Sequence, residues 1–315
     1  MVGRTAPSSS CRGGPTSLAG KVPRGLTIVQ ESGAAAANPV GELGSADRFG
    51  FGQNWQRFLS VLNESRIDEA QRSLREMLGM ESLTGVSFLD AGSGSGLFSL
   101  AAMRLGASRV HSFDFDPQSV ACTLELRRRY FPDARTWTVE QGSVLDTAYL
   151  QSLGTWDVVY SWGVLHHTGA LWEAADNVSR RVDTGGRLFI SIYNDQGLRS
   201  RLWWRVKRRY NALPSRLRSP FVCAATLPRE LLALGAYTVA GNPRGYIRSW
   251  TDYETSRGMS RWHDLVDWVG GFPFEVAKPE DVFRFYRLRG FELENLTTRA
   301  GGLGCNQFVL RRREL

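Results

Sequence analysis

Apolar residues follow two rhythms along this chain. Short apolar-rich runs at 86–89, 109–114, 156–161 and 185–193 alternate with stretches whose apolar positions recur at three and four residues. The first kind marks strands buried on both faces, the second helices with one packed stripe. A helix carrying Phe58, Leu62, Ile67, Leu74 and Met77 precedes the first run, and helical patterns cover 97–104 and 117–130. A third strand ends at Gln141, and apolar runs at 291–297 and 305–310 supply two more strands late in the chain. Strands alternating with helices predict an α/β domain built on a parallel sheet.

The junctions carry the chemistry. The first strand runs into Asp90 and then into glycines at 92, 94 and 96 before a helix opens at Leu97. A strand, a glycine turn and a helix N-terminus form a place where backbone approaches a ligand closely. The dinucleotide fingerprint wants its third glycine where Leu97 stands, and here glycine comes one residue early. The second strand ends on Asp114, 22 residues beyond Gly92. That is near the offset at which nucleotide-binding folds place a ribose-binding carboxylate, which accepts hydrogen bonds from both hydroxyls. Asp116 precedes Pro117 and reads as the cap of the next helix.

The pattern Asp90-Ala-Gly-Ser-Gly-Ser-Gly96, the strand ending at Asp114, the Gln141-Gly-Ser-Val144 turn and the double glycine at 185–186 resemble the class I S-adenosylmethionine (SAM) methyltransferases. The resemblance covers about 50–195 and returns at 290–311. It implies a seven-stranded, mostly parallel Rossmann-like sheet whose last strand is antiparallel. It also implies SAM as cofactor, S-adenosylhomocysteine as product, and no metal. It places SAM against Asp90, Gly92, Ser93, Gly94 and Gly96, against Asp114 with Phe115, and against Ser143, Val144 and Ser161. The double-histidine turn is most similar to the quinone-pathway methylases, although a long segment after the fifth strand departs from their compact pattern.

For acceptor chemistry, histidine is the side chain suited to removing a proton at neutral pH. The chain has four. His111 lies inside a strand and reads as structural. His166 and His167 follow the fourth strand, at the sheet edge where ligands gather, and His263 lies in the C-terminal part. His166 is the favoured base, with one histidine of the pair facing the pocket and the other packing. Trp162, Tyr193 and Asn194 fall at strand ends beside it. The aromatic and acidic stretch 252–275 adds Trp262, Asp264 and Asp267, read either as a polar site with apolar walls or as a short helix with core tryptophans.

Composition separates the remaining classes. At 315 residues with 42% hydrophobic and 22% charged positions, the chain is long enough for a full core. Its four cysteines are widely spaced and indicate neither a disulfide framework nor a zinc site. The net charge of +8 is not spread evenly. Arg199, Arg201, Arg205, Lys207, Arg208, Arg209, Arg216 and Arg218 equal it within one acid-free stretch. Leu198, Leu202, Val206, Tyr210 and Leu213 recur through that stretch with Trp203 beside them, predicting a basic amphipathic helix. Such a helix lies on an anionic membrane, grips nucleic acid, covers an acidic substrate, or packs on the sheet with a solvated basic face.

The expected organisation is a Gly-, Ala-, Ser- and Pro-rich tail over 1–46, a SAM-binding core over 47–195, a helical and aromatic lid over 196–280, and core completion over 281–315. The tail reads as a flexible leader, with an organelle address as the weaker alternative. The expected function is methyl transfer to O or N of a small or lipid-linked acceptor, in the cytoplasm with a peripheral membrane contact open to it. The rivals are an RNA methylase using the basic stretch and a non-catalytic SAM-binding subunit. Against the first, Ser161-Trp-Gly-Val replaces the Asn/Asp-Pro-Pro-aromatic turn of exocyclic-amine methylases.

Overall fold

The computed structural model describes residues 55, 59, 60, 62–251, 261–300, 302 and 304–314. The tail over 1–46, Phe58 and the stretch 252–260 lie outside them, as does the side chain of His263.

Seven strands form one sheet: β1 (Ser87–Ala91), β2 (Arg109–Asp114), β3 (Trp137–Gln141), β4 (Trp156–Trp162), β5 (Val182–Tyr193), β6 (Phe291–Thr297) and β7 (Cys305–Arg312). Their order across the sheet is β3-β2-β1-β4-β5-β7-β6. β1 to β5 pair in parallel, and β7 inserts antiparallel between β5 and β6. The helices are α1 (Glu64–Leu78), α2 (Leu97–Arg104), α3 (Pro117–Tyr130), α4 (Thr147–Ser152), α5 (Leu171–Ser179), α6 (Leu198–Asn211), α7 (Ser215–Val239), α8 (Pro243–Thr251), α9 (Arg261–Gly270) and α10 (Pro279–Arg287).

Period-two alternation sends neighbouring strand residues to two separate cores. Phe88, Val110, Val158, Tyr160 and Phe189 pack on one side with Ile67 and Leu74 of α1, Leu100 of α2 and Leu126 of α3. Leu89, Phe113, Val159, Leu188 and Ile190 pack on the other with Ala174 and Val178 of α5 and Val282 and Tyr286 of α10. Each buried large apolar side chain contributes roughly 1.5–3 kcal/mol, so neither face is dispensable. A third cluster of Tyr210, Val222, Leu265 and Val269 joins α6, α7 and α9.

Several boundaries move from their expected positions. The first strand runs to Ala91 because it stays paired with β2 through Ala91 and Phe113. The fifth begins at Val182, through a pairing with Trp156 followed by a register shift. Asn63 starts α1 by accepting from the Arg66 N–H at 3.1 Å. α6 stops at Asn211, short of Leu213, where Pro214 cannot continue it.

Candidate functional site

The glycine loop follows β1 directly. Gly92 and Ser93 donate their N–H groups to the Phe113 carbonyl at 2.8 and 3.0 Å, which ties the loop to the end of β2. Gly92 has φ +89°, and a Cβ there would lie 2.3 Å from Cγ2 of Val164, so only glycine fits. At Gly94, φ is +55° and a Cβ would meet the Trp55 indole at 3.1 Å. Ser93 shares a 3.0 Å hydrogen bond with Thr123 of α3.

Two carboxyls underlie this loop. Asp114 is half-buried and accepts from the N–H groups of Gly94 and Asp116, both at 2.9 Å. Burial pushes its carboxyl up to about 6, against the opposing pull of those backbone N–H groups. Asp90 is buried outright and accepts from Ser99 Oγ at 2.5 Å. Ser99 joins Ser112 at 2.7 Å, and the Trp137 indole donates to Ser112 at 2.9 Å. That buried chain spans β1, α2, β2 and β3, and desolvation raises Asp90 to about 7. Asp90 thus supports the loop from below, while Asp114 borders it.

Other expected cofactor residues divide the same way. Phe115 is 46% exposed beside Asp114. Asp116 caps α3 by accepting from Gln118, as its sequence context predicts. Ser143 Oγ accepts from Leu145 N–H at 3.1 Å, and Val144 is buried. Ser161 is fully buried, and its hydroxyl donates to the Ala91 carbonyl at 2.8 Å, stapling β4 to β1 just before the glycine turn. A composition-based reading has no signal for that staple, because it depends on which strands become neighbours.

The histidine turn shares this edge of the sheet. Val164, which packs on Gly92, leads into a short 3-10 turn over Leu165–His167. His166 is buried, its ring 4.1 Å from Tyr193 and 4.6 Å from His167. Burial, with His167 and Lys207 nearby, holds it well below the usual histidine range. Its Nδ1 has no hydrogen-bond partner among the described residues, so its bond to the Ser191 backbone falls to Nε2. That arrangement assigns the Nε2–H tautomer and leaves the Nδ1 lone pair unused. His167 Nδ1 lies 2.6 Å from the Pro273 carbonyl and therefore carries the proton, and burial lowers this ring to about 4.

Around the pair, Tyr193 meets Trp268 at 5.8 Å and Phe274 at 5.1 Å, making an aromatic wall. Trp162 is 43% exposed at the end of β4. Trp262, Asp264 and Asp267 are half-buried on α9, and burial raises the Tyr193 phenol, with Cys305 and those two acids adding to it. Asn194 is used elsewhere. Its amide donates to the carbonyls of Ala300 and Gly302 and its oxygen accepts from Asn306, so it anchors the approach to β7. His111 lies 3.2 Å from the Tyr149 hydroxyl and 3.1 Å from Glu140, the structural role its strand position suggests.

Lys207 departs most from the sequence reading. Counted there in the basic stretch, it is fully buried. Its ammonium donates to the Trp268 carbonyl and lies 4.4 and 4.8 Å from the Trp268 and Phe274 ring centres. Desolvation lowers it to about 7, opposed by Asp267. A signal existed, since Trp203, Lys207 and Tyr210 are spaced four and three apart and so share one helix stripe. Glu275 closes the acidic and aromatic 252–275 stretch, and its N–H donates to the His166 carbonyl at 3.0 Å. Its Oε1 accepts from Leu171 N–H at 3.1 Å, while Oε2 is buried without a partner among the described residues.

Among the described residues, no cluster of three or more His, Cys, Asp or Glu is placed to hold a metal ion. An open groove of about 410 Å³, lined by Met80, Asp157, Thr184, Gly186, Arg187 and Glu314, lies at the opposite edge of the sheet, away from the glycine loop.

Residues 89–188 match a family described as "Methyltransferase domain". The ribosomal protein L11 methyltransferase of Methylococcus capsulatus is 34% identical over 116 residues, covering 37% of this chain and 36% of the relative. That of Pelobacter propionicus is 37% identical over 116 residues, covering 36% of this chain and 34% of the relative. The chain thus spans about a third of the length of these curated relatives. The solved magnesium protoporphyrin IX methyltransferase of Synechocystis with bound SAM superposes with a TM-score of 0.48 at 12% identity, covering 87% of this chain and all of that one.

Proposed function

We propose that this chain, a member of the class I S-adenosylmethionine-dependent methyltransferase superfamily, transfers the methyl group of SAM to an oxygen or nitrogen of a small or lipid-linked acceptor. The carrying observation is one contact. Val164 packs on Gly92 and leads straight into His166, so the glycine loop and an unpaired imidazole nitrogen share one sheet edge.

The chain's groups fit the cofactor. A carboxylate has about four acceptor sites, so Asp114 keeps capacity for a ribose diol beside its backbone bonds. Phe115 offers an exposed flat face next to it. Gly94, bare of a side chain, leaves its backbone open to close approach beside the Trp55 indole. Asp90 contributes by fixing the loop rather than by contact. SAM, when bound, supplies a methyl carbon already activated by its sulfonium.

What the chain must then do is align the acceptor and take its proton. His166 is neutral and presents Nδ1 as the acceptor of that proton, while Tyr193, Trp268 and Phe274 keep water away. His166 Nδ1 would take the proton that the acceptor's O–H or N–H gives up when it is methylated.

The test is to incubate the protein with methyl-labelled SAM and a cell extract and to locate the label. Label in small organic-extractable compounds heavier by one methylene supports the reading, and label confined to protein or RNA overturns the acceptor class. A protein acceptor is the second reading, favoured by the name of the L11 methyltransferase relatives. Replacing His166 with Phe keeps the ring packing and is expected to cut turnover by about 10²- to 10⁴-fold with SAM affinity unchanged. Unchanged turnover removes His166 from the chemistry.

A further inference from the structure

The helices after β5 carry a surface unlike the rest of the molecule. Over 196–251 the chain has ten arginines and one lysine against a single acid, Glu230. That acid is already bound, accepting from Arg261 at 2.8 and 3.0 Å and from the Tyr246 hydroxyl at 3.0 Å. Lys207 is buried, whereas Arg199, Arg201, Arg205, Arg208, Arg209, Arg216, Arg229, Arg244 and Arg248 are all exposed. The positive face is therefore real, and it is almost purely arginine.

An apolar limb projects from within it. Residues 231–240 contain no charge. Along α7 and α8, Leu227, Leu231, Leu232, Val239 and Ile247 are exposed, Leu232 to 76% and Val239 to 91%. On α6, Leu198 and Leu202 are exposed as well. The aromatic edge of α6 turns the other way: Tyr210 is buried, and Trp203 and Val206 pack on the cluster with Leu265 and Val269. The exposed side thus offers aliphatic groups and guanidiniums together, the pairing that suits hydrocarbon beneath an anionic headgroup layer.

We infer that this arginine-bordered aliphatic limb of α7 and α8 docks on an anionic lipid bilayer, with Leu231, Leu232 and Val239 entering the acyl boundary. No helix among the described residues is long and apolar enough to cross a membrane, so the contact is peripheral. Nucleic acid is disfavoured because single strands are gripped by exposed aromatic platforms, whereas Trp203, Tyr210, Phe221 and Trp250 pack on the cluster with Leu265 and Val269. A second copy of the chain is disfavoured because the like charge surrounding the limb repels itself.

Flotation of the full chain with phosphatidylcholine vesicles containing phosphatidylglycerol, and with phosphatidylcholine alone, tests this. The protein is expected to float with the anionic vesicles at low salt, to be released at high salt, and to ignore the neutral ones. Replacing Arg205, Arg208 and Arg209 together with Glu is expected to lower vesicle partitioning by roughly 100-fold or more. Leu231→Ser, Leu232→Ser and Val239→Ser combined are expected to lower it at least about tenfold. A polarity-sensitive dye on Leu232→Cys, in a chain whose four native cysteines are changed to Ser, is expected to shift to the blue on anionic vesicles. Wild-type protein remaining in solution at low salt overturns the inference, as does flotation untouched by the serine changes or a dye that reports no change. Retardation of tRNA at concentrations where vesicles do not float overturns it in favour of nucleic acid.

Discussion

The glycine-loop half and the histidine half of the sheet's carboxyl edge bury ionisable groups to opposite ends. Around the loop the buried groups are acids, and burial lifts Asp114 to about 6 and Asp90 to about 7. Around the histidine turn they are bases, and the same burial drops His167 to about 4 and Lys207 to about 7. Low dielectric disfavours charge of either sign, so one cause yields opposite shifts. The acids keep backbone and hydroxyl donors, which pull against desolvation. The bases are pushed toward their neutral forms, and His166 keeps one ring nitrogen without a partner among the described residues.

The most severe way to break the first half is Gly92→Val. Positive φ and a clash with Val164 together are expected to cost about 3–5 kcal/mol in urea unfolding. Adding Val164→Ala should recover the steric part only, because the backbone strain stays.

Lys207→Met probes the second half, and its sign is unusual. A base lowered from 10.5 to about 7 contributes stability that is present above 10.5 and lost as pH falls through 7. Methionine fills similar space without a charge to desolvate, so the variant is expected to be about 1–4 kcal/mol more stable than wild type at pH 7. Its advantage should shrink by pH 10. A loss of stability at pH 7 in chemical denaturation shows instead that the Trp268 carbonyl and ring contacts outweigh desolvation.

Asp114→Ala sharpens the division between holding and supporting. Loss of a charge-assisted contact of roughly 1.5–3 kcal/mol weakens SAM binding about 10- to 150-fold in calorimetry. Unchanged affinity in the folded variant removes Asp114 from the cofactor site.

The smallest effects lie in the pH profile of the ligand-free protein. Asp90, raised to about 7, contributes stability that is present below about 4 and lost as pH rises through 7. His167, lowered to about 4, contributes stability that is present above 6.5 and lost as pH falls toward 4. The two slopes oppose each other between pH 4 and 7. Relative to wild type, Asp90→Asn should therefore tilt stability toward rising with pH across that window, and His167→Gln toward falling. Parallel melting curves for both variants and wild type are the contrary result.

Much of the fold was written locally. The apolar runs, the glycines at 92, 94 and 96, the Asp116 cap and the spacing to Asp114 each act within a few residues or one strand-helix unit, so one chain segment suffices to read them. The sequence alone thereby determined the parallel sheet, the loop and the acid beside it. What it left open depends on partners distant in the chain. Ser161 finds Ala91 across 70 residues, and Asn194 finds Asn306 across 112. α6 carries both aromatic and basic residues, so its own pattern allows either side to face inward. α9, some 60 residues later, decides the matter by packing Trp268 over Lys207. Only the tertiary structure makes that choice, because burying an amine is tolerable only where a carbonyl and aromatic faces already wait for it.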